Sequence, residues 1–217
     1  MRRHIRASGG FTLIELAIVI SIIAIMTAAI LKGWSMVHTV DTDSVISMAK
    51  DLSSAAQTFK QRYHYLPGDF PVDQNTPEIT GVIAGCRVGG ANAGNGNGLI
   101  DIRAGDNEPA CVREHLIRSG LVQGDTTQPF MTKFGTVSVV AVASSNTGPA
   151  AVLRGQPLSA RIVNVIEFAN LPCELAQDID RKLDDGNFAT GNIQASVATC
   201  DPVVPTNDPV PFLAMPL

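Results

Sequence analysis

Glu15 is the only formally charged residue between Phe11 and Leu31. Coiled as an α-helix, that run spans about 31 Å, the hydrocarbon thickness of a bilayer. An ionised acid inside such a span costs several kcal/mol unless it is paired, so Glu15 is either a functional site or a glutamate that snorkels to the headgroups, just over one helical turn from the start of the span. Ahead of the run stand Ser8-Gly9-Gly10, and ahead of those Arg2, Arg3, His4 and Arg6 with no acid among them. A secretory signal carries its small residues after the apolar stretch. Here they come before it, so a cut at Gly10 leaves the anchor in the product. Thr27-Ala28-Ala29 offers only a poor alternative site. The basic flank favours an N-terminus held in the cytoplasm with the rest of the chain exported.

Other reactive side chains are arranged less pointedly. Four cysteines in an exported domain imply two disulfides, with three ways to pair them. The sequence-local pairs Cys86–Cys111 and Cys173–Cys200 are favoured, since each closes one excursion of about 25 residues, worth roughly 3 kcal/mol. These spacings do not make a zinc knot. Asp178, Asp180, Asp184 and Asp185 form the densest acidic patch. A helix end, a turn on Gly186 and solvated carboxylates account for it; Asp184 and Asp185 are the calcium candidates, because oxygen ligands from such a turn suit that ion. Asn95-Gly96-Asn97-Gly98 lacks the acids of an EF-hand loop, and no Gly-Lys-Ser/Thr makes a phosphate cradle. His4, His38, His64 and His115 form no ligand pair, and no G-x-S-x-G elbow is present. No metal, no cofactor and no enzyme is expected, calcium apart.

Gly10-Phe11-Thr12-Leu13-Ile14-Glu15 resembles the type IV prepilin signature shared by pilins and by the pseudopilins of type II secretion. The resemblance covers roughly residues 7–31. It implies cleavage after Gly10 by prepilin peptidase and N-methylation of Phe11. It also implies a Glu15 carboxylate that meets the free amine of a neighbouring subunit's Phe11 during assembly. A platform protein and an assembly ATPase of the inner membrane are the further partners implied, and the fibre lies outside the cell or in the periplasm. Tyr65-Leu66-Pro67-Gly68-Asp69, the segment 114–124 and Asp180-Arg181-Lys182-Leu183-Asp184-Asp185-Gly186 are similar to stretches of pilin-like heads, and calcium binds the heads of certain pseudopilins. A membrane-anchored periplasmic enzyme or binding protein is the contrasting reading.

The elements that position these residues follow from pattern. The 217 residues allow one anchor and one modest domain. Losing three leader arginines moves the net charge from −4 to −7, which argues against nucleic acid as a partner. Val45, Ala49, Leu52, Ala56, Phe59 and Tyr63 alternate four and three apart as one amphipathic stripe, so a single helix is predicted from Phe11 to about His64. Pro67 and Gly68 stop it. Lys32-Gly33 allows a kink, and Trp34 suits the membrane interface. The glycine-rich stretch 72–109 reads as a long surface loop pinned by Cys86. Beyond it the pattern predicts a helix over 111–121, strands at 130–143, 150–153 and 161–168, and a turn at 146–149. A second helix capped by Asn170 carries Leu175, Ile179 and Leu183 on one face. A weak strand within 188–200 and an irregular five-proline tail over 201–217 complete the chain. The class is α+β and pilin-like: leader 1–10, helix 11–65 with 11–31 in the membrane, and head 66–217.

Overall fold

The structure, a computed structural model, describes residues 11–72, 79, 81–103, 106–142, 161–197, 199–200 and 209–217, without the side chains of 34, 35, 103 and 106. The leader with Gly10, the expected turn at 146–149, the strand at 150–153, the tail over 201–208 and the indole of Trp34 lie outside the described residues.

Helix α1 runs Leu13–Tyr63 and is unbroken at Gly33. It enters two compact units, residues 1–41 and 42–217. In the first unit the described large apolar side chains from Phe11 to Val40 are exposed, as no soluble core would leave them. In the second, Val45, Ala49, Leu52, Ala56, Phe59 and Tyr63 are buried, which is the predicted stripe. The helix ends where His64 turns to a φ of 67° while its N–H still donates to Lys60 O at 2.8 Å. Gly68 follows at φ +93°, and a Cβ there would lie 2.8 Å from Val112 Cγ2 and 2.9 Å from the Glu108 carbonyl, so only glycine fits.

The head is a five-stranded antiparallel sheet sharing one core with the outer part of α1, an α+β arrangement consistent with a pilin-like fold. Strands β3 (Phe130–Met131), β4 (Thr136–Ala141), β5 (Asn164–Leu171), β6 (Gln194–Ala195) and β7 (Val210–Pro216) stand in the order β3-β4-β5-β7-β6. Val139 pairs with Ile166, and Phe168 with Leu213. Alternation therefore turns Val137, Val139, Ile166, Phe168, Leu213 and Met215 inward to the main core. Helices α2 (Pro109–Arg118) and α3 (Cys173–Leu183) complete it. Cys86 is bonded to Cys111 and Cys173 to Cys200, which ties the first turn of α2 to the loop before it and α3 to residue 200.

Several expectations need correction. The run 130–143 is a hairpin rather than one strand: Thr132 Oγ1 accepts the N–H groups of Phe134 and Gly135, both at 3.2 Å, and reverses the chain. Asn170 does not cap α3. It lies in β5 at φ 57°, and Pro172 occupies the N-cap. Leu175 and Ile179 are buried, whereas Leu183 is half-exposed. The stretch 72–109 is less open than expected. It buries Val82, Cys86 and Ile100 and contains a small hairpin of β1 (Ile102–Arg103) and β2 (Asp106–Asn107). The tail is the largest departure, because its last residues form β7 between β5 and β6. Proline is normally kept from inner strands by its missing N–H. Here Pro211 falls between the pairs Ala169–Phe212 and Leu171–Val210, opposite the irregular Asn170, and Pro216 is the final residue of the strand.

Candidate functional site

At the start of α1, Thr12 and Glu15 hold each other. The Glu15 Oε2 accepts the Thr12 N–H at 3.0 Å and its hydroxyl at 2.8 Å, while the Glu15 N–H donates to Thr12 Oγ1 at 3.3 Å. This is a reciprocal capping box, whose Thr-x-x-Glu pattern stands in the sequence beside the unpaired charge. It satisfies donors at the helix start, with no cationic partner from its own chain among these bonds. Phe11 beside it is 87% exposed. The segment beyond is apolar enough to cross a membrane, with a mean hydropathy of 2.6 and none of that window buried. Its hydroxyls close on their own helix, Ser21 to Ala17 O and Thr27 to Ile23 O, each at 2.8 Å.

The head holds a second set of carboxylates that sequence reasoning did not single out. Asp69, at the turn after α1, is buried, and its Oδ1 accepts the N–H groups of Gly96 (2.6 Å) and Asn97 (3.0 Å) while Oδ2 accepts that of Gly98 (2.7 Å). Glu108, fully buried, accepts Asn95 N–H at 3.1 Å, Asn95 Nδ2 at 2.8 Å and Asp101 N–H at 3.0 Å. Two acids thus serve as the centre around which the glycine-asparagine loop folds. Gly-Asn spacing announced turns; it gave no hint of where the loop's donors point. His115, also buried, accepts the Gly68 N–H at Nδ1 (2.9 Å) and stacks on Phe59 with ring centres 5.9 Å apart. It is a neutral core residue.

These groups set the pH dependence of the head. Burial pushes Glu108 up to about 7, with the Asp69 and Asp101 charges adding to it. Burial likewise pushes Glu167, on the outer face of β5, up to about 7 against a smaller opposing effect of Ser138. Both glutamates bind a proton more tightly folded than unfolded, so their contribution is present at low pH and lost as pH rises through 7. His115 works oppositely: burial lowers it to about 4, which removes stability as pH falls from 6.5. Two glutamates outweigh one histidine between those limits. The melting temperature should therefore be higher near pH 5 than at pH 8. A thermal-denaturation series across that range reads it, and a monotonic rise towards pH 8 would contradict these assignments.

At the end of α3 the acidic patch differs from its expected solvated state. Asp180 is fully buried, and neither of its side-chain oxygens has a hydrogen-bond partner of normal geometry. Burial, then the charges of Asp184 and Asp185, push it up to about 6. One oxygen from each of Asp180, Asp184 and Asp185 falls within 4.8 Å of the others. Asp184 Oδ2 also accepts the N–H groups of Asn192 and Ile193, and Asp185 those of Asn187 and the Thr190 hydroxyl, so the loop 184–193 wraps the patch. Gly186 takes the expected positive φ, 78°. The calcium candidates Asp184 and Asp185 are thus joined by a third, buried acid that the sequence did not rank above its neighbours.

Residues 5–31 match the family described as the prokaryotic N-terminal methylation motif. No curated protein and no solved structure matches the chain. The motif implies processing by prepilin peptidase and assembly with other pilins. It points to a structural subunit rather than an enzyme, and together with the apolar helix it is consistent with an inner-membrane anchor. The chain carries at residues 5–31 the type IV prepilin signature, that of a pilin- or pseudopilin-type precursor.

Proposed function

We propose that this protein is a structural subunit of a type IV pilus or pilus-like filament. Prepilin peptidase cuts after Gly10 and methylates Phe11. The product rests in the inner membrane as a single-pass protein, N-terminus cytoplasmic and head periplasmic, until the platform protein and assembly ATPase draw it into the fibre. The observation that supports this best is the exposed apolar start of α1 with one acid in it, directly after Gly10. Such a surface needs lipid before assembly and other subunits after it. Glu15 exchanges its intrachain cap for the amine of a neighbour's Phe11, a full counter-charge in a low-dielectric setting. Mass spectrometry of the mature protein tests the proposal. An N-methylated Phe11 is expected; a chain that begins after Ala29, or retains Met1, would overturn it.

The head in this reading also takes a divalent cation, calcium by its preference for carboxylate oxygens, at Asp180, Asp184 and Asp185. A buried acid without partners is favoured by burial only when neutral, and a cation restores its charged form. At a hundredfold excess over its dissociation constant the ion should add about 2.7 kcal/mol. Calcium should thus raise the melting temperature of the wild type over chelator-treated protein and leave Asp180→Asn unmoved. Equal melting of the wild type in both conditions removes the ion from the head.

A further inference from the structure

Asn95-Gly96 and Asn97-Gly98 place two exposed asparagines directly before glycines. An Asn-Gly step is where a chain most readily modifies itself. The glycine's backbone nitrogen loses its proton and attacks the asparagine side-chain carbonyl carbon. A new C–N bond closes a five-membered succinimide, and the side-chain nitrogen leaves as ammonia. Water then opens the ring to aspartate or isoaspartate. Glycine favours the reaction because no Cβ hinders the approach and its backbone turns freely.

In this head both attacking nitrogens are engaged. The Gly96 N–H donates to Asp69 Oδ1 at 2.6 Å and to the Asp69 carbonyl at 3.0 Å; the Gly98 N–H donates to Asp69 Oδ2 at 2.7 Å. Losing an amide proton against a carboxylate is opposed by charge, and the bonds aim each nitrogen at Asp69 instead of at the asparagine carbonyl. The side-chain amides are held as well. Asn95 Oδ1 accepts the Asn97 N–H at 3.1 Å, and Asn97 Oδ1 accepts the Leu99 N–H at 2.8 Å. Gly94 passes so close to the Asp69 backbone that a Cβ would collide with its carbonyl, which keeps the loop from sliding.

We propose that the buried Asp69 carboxylate shields Asn95 and Asn97 from succinimide formation, and that Asn95 becomes a one-way latch once the loop opens. Its Nδ2 donates to Glu108 Oε1 at 2.8 Å. Conversion replaces that donor by a carboxylate oxygen facing the Glu108 carboxyl, so the altered loop is repelled from the seat it left.

The test is peptide mapping by mass spectrometry of the full-length protein, in detergent at mildly alkaline pH, with the denatured and reduced chain as reference. Charge-assisted hydrogen bonds each hold back opening by one to two factors of ten. Conversion at both sites should therefore be at least about a hundredfold slower in the folded wild type than in the denatured chain, and Asp69→Ala should speed it at least about tenfold. Folded protein that converts as fast as denatured protein, or a well-folded Asp69→Ala no faster than wild type, overturns the proposal. Should that variant fail to fold, hydrogen exchange on the wild type decides: Gly96 and Gly98 amides must be protected, and exchange at the rate of an open loop rejects the shield.

Discussion

Replacing Phe59 by alanine should cost the head about 3–5 kcal/mol, a large part of the 5–15 kcal/mol that holds a typical domain together. Phe59 is completely buried on the inner stripe of α1. Its ring lies 4.5 Å from that of Tyr63, meets Phe70 edge-on at 5.9 Å and stacks on His115 at 5.9 Å. Truncation removes the shared member of all three contacts and opens a cavity beside a neutral histidine. Water entering it would hydrate the imidazole and raise the pH at which His115 takes up a proton. Guanidinium denaturation of the full chain in detergent gives the loss directly. A cost below about 1 kcal/mol would mean that the aromatic cluster relaxes around the gap and does not bind helix to head.

Glu15→Ala should leave cleavage and membrane insertion intact and cut incorporation into fibres at least about tenfold, since each 1.4 kcal/mol of lost pairing is a factor of ten. The capping box complicates the interpretation. Removing Glu15 also removes half of the cap, and lost caps cost about 0.5–2 kcal/mol. Thr12→Val separates the two roles, because it removes both bonds of the hydroxyl in the cap and keeps the carboxylate. Quantitative comparison of sheared-fibre and membrane fractions should show Thr12→Val near wild type and Glu15→Ala depleted. Equal depletion in both variants assigns the defect to the helix end and takes the intermolecular role away from Glu15.

What could be read in advance depended on whether the cause was local. The stop of α1 was visible because Pro67 and Gly68 act on their own neighbourhood, and its buried stripe because periodicity is a property of one helix. The α+β class followed from those patterns. Asp69 and Glu108 were not legible as the centre of the loop because their donors come from other segments, those of Asp69 from residues 96–98, and an Asp after Pro-Gly looks like any turn residue. Asp180 stands beside Asp178, Asp184 and Asp185 with nothing to mark it; its burial is a property of the folded head and not of its neighbours in sequence. Strand β7 was hidden by composition. Pro211 and Pro216 argue for irregular chain until a partner strand with a defect at Asn170 makes room for the first of them.

The position of β7 has a consequence for the order in which the head can be built. Among the described residues β6 pairs only with β7, and β5 has β7 along one whole side. Synthesis delivers residues 210–216 after everything they join, so Phe168 and Ala195 wait without their neighbour Leu213 until those residues arrive. Such late closure of a long-range sheet slows folding and leaves an open edge in the meantime. A ribosome-stalled chain that ends before Val210 should therefore be readily digested by protease, whatever the state of its helices.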